Sequence, residues 1–227
     1  MDSKLQTENR QLKVCLAVTL ASLAITGAYA YTRYVHFGPI AVDRIPLYVS
    51  NKMISWSSVV LLCLSLGIGP LGCLVRPIAR WRPYRMMFGL TGVWLATLHI
   101  VVSLPIFNMF YYTGFFNFDG TLKMTTELSM LAGALAWCGL LIPLVSSLPS
   151  VKSSLSTTNW QRLQTIGFYA LFPIFGHIAW LGWDGWFLPA SWFGDLPPIT
   201  LLSCLVIMLL FIVKVITAIF SRNTKVG

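Results

Sequence analysis

The chain has 227 residues, of which 56% are hydrophobic and only 10% charged, with a mean hydropathy of +0.74. Soluble domains carry about 25% charged residues, so a cytosolic enzyme and a secreted disulfide scaffold are both excluded. The net charge of +9 resembles that of a nucleic-acid binder, but its meaning depends on where the cations fall. The five cysteines, Cys15, Cys63, Cys73, Cys138 and Cys204, lie inside apolar runs without C-x-x-C spacing. They read as small core residues, with no disulfide or zinc framework.

A bilayer core about 30 Å thick needs about 20 apolar residues at 1.5 Å rise each. Six stretches qualify, approximately 14–31, 53–75, 86–110, 127–147, 163–182 and 198–220. The first, preceded by Lys4, Arg10 and Lys13 and ending in Ala28-Tyr29-Ala30, is also compatible with a cleavable signal peptide. The fifth is interrupted by Pro173, which neighbouring helices can tolerate. The connections are short and no repeat or low-complexity tract is evident. The expected fold is an all-α, six-helix transmembrane bundle forming one domain over residues 1–227.

Charges on alternate sides set the orientation. With the amino terminus inside, one side holds twelve cations (Lys4, Arg10, Lys13, Arg76, Arg80, Arg82, Arg85, Lys152, Arg162, Lys214, Arg222, Lys225) against two acids. The other holds Arg33, Arg44, Lys52 and Lys123 against five acids. Both termini are therefore expected to be cytoplasmic, and the basicity needs no nucleic acid as partner. Membrane lipid is the expected environment, and Arg76 to Arg85 form a candidate patch for anionic head groups.

The ionisable side chains well inside the spans are His99 and His177, and a polar ring in hydrocarbon is costly unless partnered. Spans three and five run in the same direction. His99 lies 13 residues beyond Met86 and His177 lies 14 beyond Leu163, so both sit about 20 Å from the cytoplasmic ends. Equal depth on parallel helices is what the two axial ligands of one haem iron require. The plainer alternative makes each ring a hydrogen-bonding or proton-relay group. His36 reads as an outer-loop side chain. Asp119, Glu127, Asp184 and Asp195 fall in outer loops without ligand-like spacing. Trp180, Trp183, Trp186 and Trp192 suggest an interfacial belt or a docking platform. Gly67, Gly69, Gly89 and Gly92 suit close helix packing. Pro105 and Pro173 are candidate kinks.

The segment WSSVVLLCLSLGIGP (Trp56 to Pro70), the basic loop, and YRMMFGLTGVWLATLH ending at His99 resemble spans two and three of the ferric reductase-like transmembrane family. NWQRLQTIGFYALFPIFGH, from Asn159 to His177, is similar to that family's fifth span. Within the family the likeness is greatest to the haem-binding membrane subunits of bacterial periplasmic methionine-sulfoxide reductase systems. It covers roughly 53–182. The resemblance implies one haem b with its iron held by His99 and His177, in the electron-transfer subunit of an oxidoreductase of the bacterial inner (plasma) membrane. Where relatives carry inner ligands, this chain has Gln164 and Arg85, so an inner haem is not expected. Electrons from the cytoplasm would then need a flavin, a membrane quinol or a separate donor protein, since no nucleotide-binding domain accompanies the spans. An outer-face redox partner is the implied acceptor. The rival reading is a haem-free transporter or assembly factor; a third is a quinol-oxidising cytochrome.

Overall fold

The computed structural model describes residues 2–223; Lys225 lies outside them, and the side chains of Lys4 and Arg222 are likewise not described. Six helices are long and apolar enough to cross a membrane. They are α1 (Asp2–Tyr31), α2 (Ser50–Leu74), α3 (Arg85–Ile106), α4 (Met124–Ser146), α5 (Thr157–Trp186) and α6 (Ile199–Asn223). Single π-helical turns, Thr32–His36 and Ile45–Val49, extend α1 and lead into α2. The only strand-like pairing among the described residues is one bridge between Phe116 and Leu122. In hydrocarbon each backbone N–H and C=O must be satisfied within its own segment, which selects helices for these apolar runs.

Large apolar side chains recur at helical spacing on the outer faces, for example Trp94, Leu98 and Val101 on α3 and Leu205, Leu209 and Ile212 on α6. Leu104 is 72% exposed and Ile25 is 68% exposed. Each such residue facing water would forgo about 1.5–3 kcal/mol of burial; facing lipid it forgoes none. The chain is an integral, multi-pass membrane protein.

Boundaries depart from the hydropathy reading where polar chemistry sets them. α5 begins at Thr157 because Ser156 Oγ accepts from Asn159 N (3.3 Å), a cap that precedes six mostly polar residues. Its helical ladder breaks at Ala170, between Thr157–Tyr169 and Leu171–Trp186. Pro173 has no N–H for the carbonyl of Tyr169, and its ring crowds that turn. α3 stops at Ile106, short of the expected 110: Pro105 sits in its last turn, and Asn108 Oδ1 then accepts from Phe110 N (3.0 Å) and Tyr111 N (3.3 Å), closing a turn. Two acids expected in loops lie on helices, Glu127 in the first turn of α4 and Asp184 near the end of α5.

α2 is the central helix, packed on α1, α3 and α6, while α4 pairs with α5. Leu61, Phe88, Leu171, Ile207 and Cys204 are fully buried between them. Cys15 and Cys63 are buried too, but Cys73 and Cys138 are exposed, so only three of the five cysteines serve the core. A polar seam at seven-residue spacing fixes the antiparallel register of α2 on α3. Asn51 meets His99, Ser58 Oγ donates to Gly92 O (2.8 Å), and Ser65 Oγ donates to Arg85 O (2.7 Å). A Cβ at Gly92 would stand 2.9 Å from Leu62 Cγ and 3.2 Å from Leu62 N. Gly92→Val is therefore expected to cost about 1–3 kcal/mol, read as a lower denaturation midpoint in detergent. Gly114→Ala, with open space around it, is expected to leave the midpoint unchanged.

Because successive spans alternate, the α2–α3 and α4–α5 connections share one end of the bundle, which carries Arg76, Arg80, Arg82, Lys152 and Arg162. At the opposite end Tyr29 OH (2.7 Å) and Arg33 Nε (3.0 Å) both donate to Pro197 O, tying α1 to α6.

Candidate haem-ligand site

His99 and His177 each receive an orienting partner from the preceding helix. On α2, Asn51 Oδ1 lies 2.6 Å from His99 Nδ1 and accepts its proton. Ser103 Oγ donates to the carbonyl of His99 (2.7 Å) and lies 3.3 Å from the same Oδ1. On α4, Ser129 O accepts from His177 Nδ1 (2.9 Å), and Ser129 Oγ donates back to His177 O (2.8 Å). Orienter and histidine are separated by 48 residues in both pairs, so two antiparallel helix hairpins present their imidazoles in the same manner.

An amide oxygen and a carbonyl can only accept, so both rings carry their proton on Nδ1. Each Nε2 is then a bare lone pair, and neither makes a hydrogen bond among the described residues. This is the arrangement of metal-binding histidines, whose second nitrogen is held by an outer partner. Gly133, one turn beyond Ser129, makes room for it: a Cβ there would stand 2.9 Å from His177 Nδ1.

α5 starts earlier than expected, so equal counts from the basic end no longer describe the pair. Counted from the opposite ends, His99 precedes Ile106 by seven residues and His177 precedes Trp186 by nine, or about 10 and 14 Å at 1.5 Å per residue. The helices that carry them make no extended contact with each other. The two hairpins meet through α3 and α4, where Trp137 Nε1 donates to Thr97 Oγ1 (3.0 Å), and towards the basic end they flank a cleft with a cavity of about 60 Å³, lined by Leu62, Ser65, Met86, Val93, Leu140 and Gln164 among others.

That cavity is far below the roughly 300–1,000 Å³ of ligand pockets, and the two residues that the resemblance sets against inner ligands are committed to the protein. Gln164 Nε2 reaches Pro143 O (3.1 Å), Ser146 Oγ (2.9 Å) and Ser147 Oγ (3.1 Å). Arg85 Nε donates to Ser65 O (2.9 Å). The remaining candidates also separate. His36 is exposed and stacks edge-on against Phe37. Trp186 and Trp192 are tied down through Thr200 Oγ1 (3.0 Å) and Gly185 O (2.8 Å), whereas Trp180 and Trp183 are exposed.

Lys52 was read above as an outer-side topology charge. It does lie at that end, in the first turn of α2, but its Nζ is turned against protein, 5.4 Å from the ring of Tyr48 and 5.2 Å from that of Tyr112. Asn51 was not singled out at all; the seven-residue recurrence of Asn51, Ser58 and Ser65 is the signal that would have found it. Comparison with known proteins adds nothing to this geometry: no protein-family model matches the sequence, and no curated protein is significantly similar to it.

Proposed function

We propose that the protein binds one haem b through His99 and His177 and serves as an electron-transfer protein of a bacterial inner membrane. On this reading it delivers electrons towards an acceptor at the outer face. The observation that carries the reading is the pair of imidazoles each held through Nδ1 by an oxygen of the preceding helix, Asn51 Oδ1 and Ser129 O, with both Nε2 atoms unused. A histidine serving only as interhelical glue has no reason to leave its second nitrogen without a partner in hydrocarbon.

Bound iron would supply reversible one-electron chemistry, with its potential set by ligands, burial and neighbouring charge. The chain's own contributions are separable. Asn51 and Ser129 hold the rings and raise the basicity of Nε2. Val59, Leu62, Ile174 and Ile178 keep the surroundings dry. Gln164 and Arg85 close the inner position to a second group. His99 lies 14 residues from the basic end of α3 at Arg85, about 21 Å, so electrons from the cytoplasm need a flavin, a quinol or a donor protein that reaches into the cleft. The exposed Trp180 and Trp183, beside Phe187 (5.0 Å from Trp183), suit a redox partner at the other end.

The direction of delivery is tested in proteoliposomes sorted for orientation. Dithionite-reduced protein should be reoxidised by membrane-impermeant ferricyanide presented at the end opposite the arginines, and slowly or not at all when the oxidant is presented at the basic end. Equal rates from both ends would contradict an outer-face acceptor.

A further inference from the structure

Lys52 is a cation without a counter-ion. It is half-buried, and its ammonium rests between the rings of Tyr48 and Tyr112 at 5.4 and 5.2 Å, with no hydrogen bond or carboxylate partner among the described residues. The rings beside it are neutral phenols, and Tyr48 in turn packs on Tyr34 (5.7 Å between centroids), over which lies a second cation, Arg33. Arg33 is buried as well, 4% exposed, donating Nε to Pro197 O and lying over the rings of Tyr34 (4.9 Å) and Phe193 (5.2 Å). Two like charges at one end of the bundle, without an acid between them, cost folding free energy that aromatic faces offset only in part. An anion brought by a ligand removes that cost.

Position selects the anion. Lys52 follows Asn51, the residue that orients His99, and shares Tyr112 with it, since Asn51 Nδ2 donates to Tyr112 OH (3.3 Å). A ligand held by His99 therefore has this cation one residue along α2 from the group that orients the ring.

We propose that Lys52, with Arg33 behind it, is the seat for the carboxylates of the tetrapyrrole held by His99 and His177, so that the propionate edge faces the non-basic end of the bundle. This rests on the haem reading above. Two carboxylates match the two unneutralised cations, and a charge-assisted contact fixes which way round the disc enters.

The test compares haem with its dimethyl ester, in which both carboxylates are neutral. Apoprotein from haem-depleted cells is titrated in detergent with each. Wild type and Lys52→Arg should bind haem ten- to hundredfold more tightly than the ester, and Lys52→Met should bind the two alike. Equal binding by the wild type overturns the assignment and leaves the imidazole pair standing; a lipid phosphate on Lys52 would give that result. Discrimination that survives in Lys52→Met overturns it too, because the carboxylates then sit elsewhere. Failure of the wild type to bind either compound defeats the haem reading itself. If Lys52→Met does not fold, the wild-type comparison decides alone.

Discussion

Purified His99→Ala and His177→Ala proteins are expected to lose the Soret and reduced α bands of the wild type while eluting from a sizing column at the same volume. Each ring supplies one Nε2, and nothing nearby can replace it: Gln164 is bonded to Pro143, Ser146 and Ser147 at the basic end, and Arg85 to Ser65. Haem retained per chain should fall by more than the 10–100-fold that loss of an outer-shell partner costs a metal site. Folding should survive, because Asn51 keeps Ser103 Oγ on its Oδ1 and Tyr112 OH on its Nδ2, each at 3.3 Å. His36→Ala, at an exposed position in the π-helical turn after α1, should leave the spectrum unchanged. Full absorbance in either buried-histidine variant would assign the iron to other residues.

The second large effect separates a side-chain orienter from a backbone one. Asn51→Leu removes the oxygen that accepts from His99 Nδ1 at 2.6 Å, freeing the ring to rotate or to change tautomer. Haem affinity should drop 10–100-fold. Ser129→Ala leaves the carbonyl that holds His177 Nδ1 in place and removes the two Oγ contacts, 2.8 Å to His177 O and 3.0 Å to His177 Nδ1. It should cost about 1 kcal/mol of stability with affinity nearly unchanged. Both variants are read by haem titration of the apoprotein together with a detergent melt. Equal losses in the two would mean that the hydroxyl, and not the main chain, positions His177.

The spans were legible because lipid leaves a chain few choices: six apolar runs of bilayer length became six helices, each within a few residues of its expected core. Their ends were less legible, since hydropathy is blind to what terminates a helix. Ser156 capping α5, the Asn108 turn after α3 and the Pro173 break displaced to Ala170 are matters of hydrogen bonding. His99 and His177 stood out as lone polar rings in hydrocarbon. Their orienters did not, for opposite reasons. Asn51 lies at the edge of an apolar run, where a polar residue attracts no notice, and Ser129 acts through its carbonyl, which every residue has. Lys52 was hidden by a sound rule: counted with the outer charges it supports the topology, and only packing shows it turned inward against Tyr48 and Tyr112.

Haem-to-protein stoichiometry, from the pyridine haemochrome of protein purified from haem-replete cells, bears most directly on the imidazole pair. One haem per chain is the predicted result. A colourless protein would make His99 and His177 packing or proton-relay groups of a transporter or assembly factor. Two haems per chain would contradict the closed inner position at Gln164 and Arg85.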